Sequence, residues 1–281
     1  MRLDQATRIM LGDREVSRVY LGANLVWRTA FSPASLFAQG EPGVWLDPSD
    51  FSTMFQDAAG TVPVTAVEQP VGRILDKSGR GFHATQTTAT SRPVLRQDGS
   101  GKHYLYFDGV DDFLVTPTIV PGIDKVQVFA GVRRLRSGAA EIIAETGVNY
   151  TSHGALYFVA ESNNNRYGFA GRGERQGVAD DQVSLNFFPP PDTAALTATQ
   201  DINGNTPAQM RRNGGVWAKS PGADFGGGNF LAYPLYIGRR AGSLFPFNGH
   251  IYSLVLRFGS NLPIETIEQV EAWINTKTGA Y

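Results

Sequence analysis

The stretch that decides the fold class is Lys125-Val126-Gln127-Val128-Phe129-Ala130-Gly131-Val132. Side chains of a β-strand point alternately to its two faces. One face of this stretch therefore carries only apolar side chains, namely Val126, Val128, Ala130 and Val132. Such alternation predicts a strand with one face in the hydrophobic core.

Similar strand-like runs continue along the chain from residue 44. The clearest are Tyr104–Phe107, Phe113–Thr116, Glu141–Glu145, Ala155–Ala160, Arg166–Phe169, Val183–Phe188, Ala195–Gln200, Ala208–Arg212, Leu235–Gly238 and His250–Phe258. Turn-forming clusters separate them, among them Asp108-Gly109, Arg136-Ser137-Gly138, Asn163-Asn164-Asn165 and Asn213-Gly214-Gly215. Strands and helices do not alternate, which excludes Rossmann and TIM-barrel architectures. The pattern predicts an all-β sandwich.

A helix is predicted on each side of this series. Ser32-Pro33 supplies an N-cap and a first helical residue for a short helix that ends at Gly40. A longer C-terminal helix begins at Pro263 and ends before Gly279. Its apolar residues follow a 3.6-residue period: Ile264, Ile267, Val270 and Ile274. We expect this helix to lie as a lid across one edge of the sandwich.

Composition excludes several classes of function. The absence of cysteine excludes disulfides, zinc–thiolate sites and thiol nucleophiles. A net charge of -1, with no long basic run, argues against nucleic-acid binding. The four histidines are dispersed, so no zinc site is expected. Residues 1–10 lack a signal-peptide core and no run of eighteen apolar residues occurs, so we expect neither secretion by a cleaved signal nor membrane insertion.

Residues 1–30 form a separate small unit in this interpretation. Leu11-Gly12-Asp13-Arg14-Glu15-Val16 is followed, ten residues later, by the similar Leu21-Gly22-Ala23-Asn24-Leu25-Val26. The glycines suit tight hairpin turns. A three-stranded meander is predicted, with strands near Arg8–Leu11, Val16–Leu21 and Leu25–Arg28. So small a sheet is not stable alone, and it must pack against something else.

The most specific motifs lie between Asp76 and Leu114. They read Asp76-Lys77-Ser78-Gly79-Arg80-Gly81-Phe82-His83-Ala84, Arg92-Pro93-Val94-Leu95 and Leu105-Tyr106-Phe107-Asp108-Gly109-Val110-Asp111-Asp112-Phe113-Leu114. Farther along come Arg212-Asn213-Gly214 and Phe247-Asn248-Gly249-His250-Ile251-Tyr252. This order resembles the laminin-G-like branch of the concanavalin A-like lectin/glucanase superfamily. The arrangement from Trp45 to Gly279 resembles versions found in bacteriophage and prophage structural proteins.

The resemblance implies that residues 31–281 form a jelly-roll sandwich of two antiparallel sheets, often with a glycan- or protein-binding edge. It does not imply catalysis, because related folds include both lectins and glucanases, and function must be argued from the site.

A glycosidase of the retaining class needs two carboxyl groups about 5–5.5 Å apart. The nearest pair in a strand is Glu141 and Glu145. On a regular strand they share a face, about 13 Å apart, with apolar Ile143 between them. This spacing argues against hydrolysis, and the chain is predicted not to be an enzyme.

A calcium ion is the one cofactor for which the motifs offer candidate ligands. Asp108, Asp111 and Asp112 could supply oxygen ligands at a loop rim. Alternatively, the same carboxylates cap backbone N–H groups in the Asp108-Gly109 turn. No other cofactor is expected.

Sugar sites pair aromatic rings with planar polar side chains on loops. One candidate region runs from Tyr150 to Arg175, and its residues are Tyr150, His153, Asn163, Asn164, Asn165, Arg166, Tyr167, Arg172 and Arg175. The second is the glycine-rich loop at residues 224–230, together with Trp217 and Tyr233. The alternative is that both are plain loops or subunit contacts.

The sequence therefore predicts a non-enzymatic virion protein made in the host cytoplasm. Residues 1–30 would attach to other virion proteins, and the lectin-like sandwich, as a tail fibre, spike or decoration protein, would bind host surface polysaccharide. The alternatives are a purely structural virion module that makes subunit contacts and, more distantly, a polysaccharide hydrolase. The resemblance also implies a homo-oligomer, in particular a trimer.

Overall fold

The structure, a computed structural model, describes residues 9–16, 18–22, 24–28, 31–149, 152–161, 165–174, 182–204, 206–220 and 227–281. The strands are β1 (Ile9–Leu11), β2 (Arg14–Val16), β3 (Arg18–Leu21), β4 (Asn24–Arg28), β5 (Gly43–Leu46), β6 (Met54–Phe55), β7 (Arg73–Ile74), β8 (Ala84–Thr85), β9 (Val94–Gln97), β10 (His103–Asp108), β11 (Leu114–Val115), β12 (Lys125–Arg134), β13 (Glu141–Thr146), β14 (Leu156–Glu161), β15 (Arg166–Gly171), β16 (Val183–Leu185), β17 (Asp192–Asp201), β18 (Thr206–Arg212), β19 (Ala218–Lys219), β20 (Leu235–Ile237) and β21 (Asn248–Phe258). Short 3₁₀ helices span Pro33–Phe37, Phe51–Thr53 and Ala89–Ser91, and the α-helix α1 spans Ile264–Thr278.

Two antiparallel sheets form the sandwich, as predicted. The eight-stranded sheet has the order β19-β18-β17-β12-β21-β10-β9, and β5 also pairs with β21. The nine-stranded sheet has the order β16-β15-β14-β13-β20-β11-β8-β7-β6. The chain is thus an all-β, jelly-roll-like sandwich with one C-terminal helix, and strands distant in sequence, such as β12 and β21, are neighbours at its centre.

The main hydrophobic core fills the space between the two sheets. Val126, Val128, Ala130 and Val132 all belong to it, which confirms the face predicted from their alternation. The large aromatic side chains Phe107, Phe158, Phe169, Phe247 and Phe258 are also buried there. Burying each such ring is worth about 1.5–3 kcal/mol relative to leaving it exposed.

The helix α1 lies on a face of the sandwich, not across an edge as predicted. It packs on β12, β17 and β21 of the eight-stranded sheet. Its buried side chains share a second hydrophobic cluster with the outer face of that sheet and the first 3₁₀ helix: Leu36, Phe37, Trp45, Phe129, Ala195, Val255, Ile267, Val270 and Ile274. The physical reason is that the central strands of this sheet are apolar on both faces. Their outer face must therefore also be covered. The predicted helix boundaries are confirmed, with Gly279 left-handed at φ 61°.

Gly131 shows how closely α1 approaches the sheet. A Cβ at this position would lie 2.6 Å from the Cγ2 of Thr278 and 3.1 Å from the Cγ2 of Ile274. Glu271 of α1 also accepts hydrogen bonds from the buried Arg211 guanidinium, at 2.6 Å through both oxygens, and from the Thr197 hydroxyl. The helix is therefore fixed to the sheet by packing and by a buried ion pair.

The N-terminal residues form two successive hairpins. β1 pairs with β2, and β3 pairs with β4, each as a separate two-stranded sheet. The single middle strand predicted at Val16–Leu21 is instead observed as two strands, β2 and β3, on either side of residue 17. Among the described residues, no helix is both long and apolar enough to cross a membrane.

Candidate functional site

The outer face of the nine-stranded sheet holds a groove with an apolar floor. Ile142, Tyr157, Val159 and Ala170 form a buried cluster that is separate from the main core. They come from three neighbouring strands, with Ile142 opposite Val159 and Tyr157 opposite Ala170. Phe158 and Ala160, which alternate with Tyr157 and Val159 on β14, point the other way into the sandwich. The floor is thus the second apolar face of strands that already contribute to the core.

One wall of the groove comes from the turn before β21. Arg240 and Phe245 line it, and the Arg240 guanidinium lies 4.8 Å from the centre of the Phe245 ring. The Nε of Arg240 donates to both carboxylate oxygens of the buried Glu145, at 3.0 and 2.8 Å. The backbone N–H of Ile142 donates to the carbonyl of Phe245 at 2.9 Å. Backbone and ion pair together hold this wall against β13.

The opposite rim is a hydrogen-bonded set of planar polar side chains. Glu161 accepts from the Nε of Arg166 at 2.5 Å and from the Nε2 of Gln182 at 2.9 Å. Gln182 lies directly over β15, because a Cβ on Gly168 would fall 1.9 Å from its Nε2. The missing side chain at Gly168 therefore makes room for the rim.

The groove has a volume of about 220 Å³ and is lined by Ala140, Ile142, Tyr157, Val159, Glu161, Gln182, Arg240 and Phe245. Apolar floors with a few fixed polar groups are the usual form of small-ligand sites. The chemistry suits a ring with one apolar face and polar edges. The Phe245 side chain, 37% exposed, is the aromatic surface most open to such a ligand.

Glu141 and Glu145 do not share a face, contrary to the expectation for a regular strand. The register between β13 and β14 shifts between Ile142 and Ala144, so one extra residue is inserted into β13. Such a bulge reverses the alternation beyond it. Glu145 therefore meets Arg240 on the outer face, whereas Glu141 accepts from the Nε of Arg136 at 2.9 Å and lies beside the buried Arg134. Burial raises the pKa of both carboxyl groups, and the arginines oppose this shift.

The structure divides the predicted Tyr150–Arg175 region between two ends of the sandwich. Asn165 and Arg166 lie at the start of β15, beside the groove rim, whereas Arg172 follows its end. Six residues of strand separate them by about 20 Å. His153 belongs to the Arg172 end, where its carbonyl accepts from the Tyr233 hydroxyl at 3.0 Å. The two candidate loops do meet there, since the N–H of Glu174 donates to the carbonyl of Gly227 at 2.9 Å.

One predicted ligand residue, Tyr167, is corrected, and a second, Trp217, stays a prediction. Tyr167 is fully buried in the main core and its hydroxyl donates to Asp192 at 2.9 Å, so it is not available to a ligand. Trp217 packs against the cluster beneath α1, with the Arg211 guanidinium 4.6 Å from its ring centre, on the other sheet and apart from Tyr233. Tyr150, Asn163, Asn164, Arg175 and residues 224–226 lie outside the described residues.

The three predicted calcium ligands do lie together. Carboxylate oxygens of Asp108, Asp111 and Asp112 fall within 4.8 Å of one another. Each is also engaged within the turn: Asp108 accepts from the N–H groups of Val110 and Asp111, Asp111 from the Ser91 hydroxyl, and Asp112 from the N–H of Asp108. Burial, together with the neighbouring Asp108 and Asp111 charges, raises the pKa of Asp112 to about 6. These contacts favour the capping interpretation.

No protein-family model matches the sequence, and neither does any curated protein. Solved structures do resemble the fold. The receptor-binding domain of botulinum neurotoxin mosaic serotype C/D matches with a TM-score of 0.56 at 9% identity, over 83% of this chain and 51% of that one. The Trypanosoma rangeli sialidase matches with a TM-score of 0.53 at 11% identity, over 93% of this chain and 36% of that one.

A third structure is the botulinum neurotoxin serotype D ligand-binding domain in complex with N-acetylneuraminic acid. It matches with a TM-score of 0.53 at 10% identity, over 71% of this chain and 48% of that one. The chain thus spans between about a third and a half of the length of these three neighbours. At such identities the likeness shows the sandwich fold alone. The laminin-G-like resemblance stays a prediction.

Most of the groove escaped the sequence-based predictions. Of the rim residues, the sequence predicts only Arg166 as a ligand residue. Tyr157, Val159 and Glu161 could have been found from their alternation on β14, opposite the core-facing Phe158. Arg240 and Phe245 carry no comparable signal, because the turn that holds them reaches β13 only through the tertiary fold.

Proposed function

We propose that this chain is a carbohydrate-binding β-sandwich without catalytic activity, and that the groove on the nine-stranded sheet holds the sugar. The observation that carries this proposal is the pairing of an apolar floor and the Phe245 ring with the rim of Glu161 and Gln182. Sugars present a C–H face that packs on aromatic surfaces and hydroxyl groups that hydrogen-bond to planar polar side chains.

The solved neighbours support the choice of ligand class without deciding it. One neurotoxin domain is described in complex with N-acetylneuraminic acid, and another neighbour is a sialidase. Sialylated glycans therefore belong in the first set of ligands to be tested. The sialidase does not argue for hydrolysis here, because fold does not determine function.

The geometry of the carboxylates argues against a hydrolase. Glu141 and Glu145 lie on opposite faces of β13 and each is paired with arginine. Retaining and inverting glycosidases both need two carboxyl groups that act on one sugar. Glu141 and Glu145 are not placed to do so.

We also propose that residues 1–30 attach the chain to other virion proteins, so that the sandwich is displayed to host surface polysaccharide. The virion context rests on the sequence resemblance. The hairpins support this proposal, because four large apolar side chains are exposed on them: Met10, Leu11, Tyr20 and Leu21. Exposed apolar side chains gathered in so short a segment favour a protein contact. The alternative, a structural module whose loops contact neighbouring subunits, predicts no glycan ligand.

The test is a glycan array with the full chain, followed by titration of any ligand found. Phe245→Ala should weaken binding by about tenfold, equivalent to about 1.4 kcal/mol. The matched control is Phe187→Ala, since Phe187 is also an exposed phenylalanine with positive φ but does not line the groove. Unchanged affinity in Phe245→Ala, or an array without any ligand, would overturn the proposal. Release of reducing ends from a polysaccharide would show instead that the chain is a hydrolase.

A further inference from the structure

The outer face of the eight-stranded sheet carries a second polar and aromatic surface, beyond the C-terminal end of α1. Five side chains from five adjacent strands form one row across it, each opposite the next in the strand register: Thr193, Arg133, His250, Tyr106 and Val94. We call this set the cross-strand row. All five are partly exposed. Directly opposed residues have Cβ atoms about 4.5–5.5 Å apart, so neighbours in the row are in reach of one another.

Arg133 lacks the ion pair that its neighbours Arg134, Arg136 and Arg211 each form with a glutamate. Its Nε is buried without a hydrogen-bond partner, and no carboxylate in the described part of the chain forms an ion pair with it. Arg136 and Arg211, in contrast, are paired with Glu141 and Glu271. An unpaired donor of this kind costs free energy unless a ligand or water satisfies it.

The carboxylates around the cross-strand row are already used. Asp98 accepts from the N–H groups of Ser100 and Lys102, at 2.9 and 3.0 Å, and from the Tyr252 hydroxyl at 3.3 Å. Glu68 is paired with Arg96 at 3.1 Å. The Arg133 charge is therefore left without a fixed counter-ion.

The rings beside Arg133 are held firmly. His250 stacks on Tyr104 with ring centres 3.7 Å apart, and its Nδ1 lies 3.4 Å from the Tyr252 hydroxyl. The Arg96 guanidinium lies 4.1 Å from the centre of the Tyr106 ring. Burial and the nearby Arg133 and Arg96 charges lower the pKa of His250 to about 4. The imidazole is thus neutral at physiological pH and offers a flat polar ring.

From this geometry we infer a second ligand site, in which Arg133 binds the carboxylate of an acidic sugar whose ring lies over His250 and Tyr106. A guanidinium fork matches a carboxylate through two parallel hydrogen bonds. The flanking rings supply surface for the C–H face of the sugar. This site is on the opposite outer face from the groove and does not depend on it.

Two other sources of negative charge fit less well. A peptide that binds by strand addition needs a free sheet edge, whereas β12, β21 and β10 are paired on both sides. Phosphate sites are built from several converging N–H donors. On the face of a sheet the backbone N–H groups are engaged in the ladder, so Arg133 would be alone.

The test uses the full chain and four probes: glucuronate, glucose, acetate and inorganic phosphate. Binding is followed by the Nε–H resonance of Arg133, which is assigned by its loss in Arg133→Met, and by calorimetry. Glucuronate should shift this resonance and bind at least tenfold more tightly than glucose or acetate. Arg133→Met should lower glucuronate affinity at least tenfold, and Arg133→Lys should weaken it although the charge remains.

The control for charge is Arg14→Met, which removes an exposed arginine from the hairpins and should bind glucuronate like the parent. The Arg133 resonance reports on this site alone, so sugar bound in the groove, which Phe245→Ala tests, can be told apart from sugar bound here. Equal binding of glucose or phosphate, or unchanged glucuronate affinity in Arg133→Met, would overturn the inference. Since Arg133→Lys keeps the aliphatic stem and the charge, it serves if Arg133→Met does not fold.

Discussion

Glu141 and Glu145 lie four residues apart on one strand, yet their carboxylates point to opposite faces of the nine-stranded sheet. The bulge between Ile142 and Ala144 separates them, and both Ile143 and Ala144 consequently point into the core. This one extra residue has two effects on function. It puts on opposite faces two carboxylates that a regular strand would place on one face, and it places Glu145 where it can hold Arg240 in the wall of the groove.

The Glu145–Arg240 pair should be tested by a double-mutant cycle. Glu145→Met leaves the Arg240 charge without its carboxylate, and Arg240→Met leaves a buried carboxylate unpaired. Breaking a buried pair in this way costs about 3–5 kcal/mol. Urea denaturation should therefore show each single variant strongly destabilised and the double variant closer to the parent. If the two single effects simply add, the pair is not coupled and does not hold the wall.

Sequence alone was sufficient for most strands of the sandwich and for the core face of β12, because alternation is a local property. Val126 and Val128 both face the core because they are two residues apart on one strand. The bulge in β13 could not be predicted in this way. Ile142, Ile143 and Ala144 are all apolar, so no change of polarity marks the point where the alternation reverses.

The position of α1 and the groove depend on relationships between distant parts of the chain. The period of the helix predicted which side is buried, but the surface it covers is set by Phe129 and Val255, on strands far from it in sequence. Likewise, Tyr157 and Phe245 line one groove although 88 positions separate them (245 − 157). The residue types of a single loop could therefore identify Arg166 as a candidate ligand residue, but not the groove residues that other parts of the chain contribute.

Asp112 should make stability fall as the pH rises from about 4 to 6. Its pKa in the folded chain is about 6, above the ordinary pKa of 3.8 for an aspartate side chain. Between these values the folded chain keeps a proton that the unfolded chain has lost, so stability is full below pH 4 and lost through pH 6. The upper limit is about 3 kcal/mol, since each pKa unit corresponds to about 1.36 kcal/mol.

The variant for this test is Asp112→Asn, which keeps an oxygen to accept from the N–H of Asp108. It should be more stable than the parent above pH 6, and the difference should shrink below pH 4. Thermal unfolding of both proteins from pH 3.5 to 8 measures it. Other carboxyl groups, such as Asp50 and Asp57, have lowered pKa values and act in the opposite direction, so only the difference between variant and parent is informative. A constant difference across this range would refute the assignment.

Calcium is expected to leave the melting temperature unchanged. The ion takes six to eight oxygen ligands, whereas guanidinium groups already contact the turn carbonyls: Arg136 lies 3.2 Å from the Gly109 oxygen and Arg239 3.4 Å from the Asp111 oxygen. Melting curves in millimolar CaCl₂ and in EDTA should coincide. If calcium instead raises the melting temperature of the parent but not that of Asp112→Asn, the three aspartates bind the ion.

We expect the exposed apolar residues of the hairpins to hold copies of the chain together, in addition to the proposed attachment to other virion proteins, and not to support the sandwich. Leu11 and Leu21 are 77% and 73% exposed, which leaves their apolar surface in water unless another chain covers it. Sedimentation velocity of the full chain should show an oligomer, with a trimer expected from the resemblance. The double variant Leu11→Ser/Leu21→Ser should shift it toward monomer while its melting temperature stays within a few degrees of the parent. The matched control is Val216→Ser, because Val216 is 92% exposed but lies on the sandwich. An oligomer that persists in the double variant, or a parent that is monomeric at all concentrations, would contradict assembly through residues 1–30.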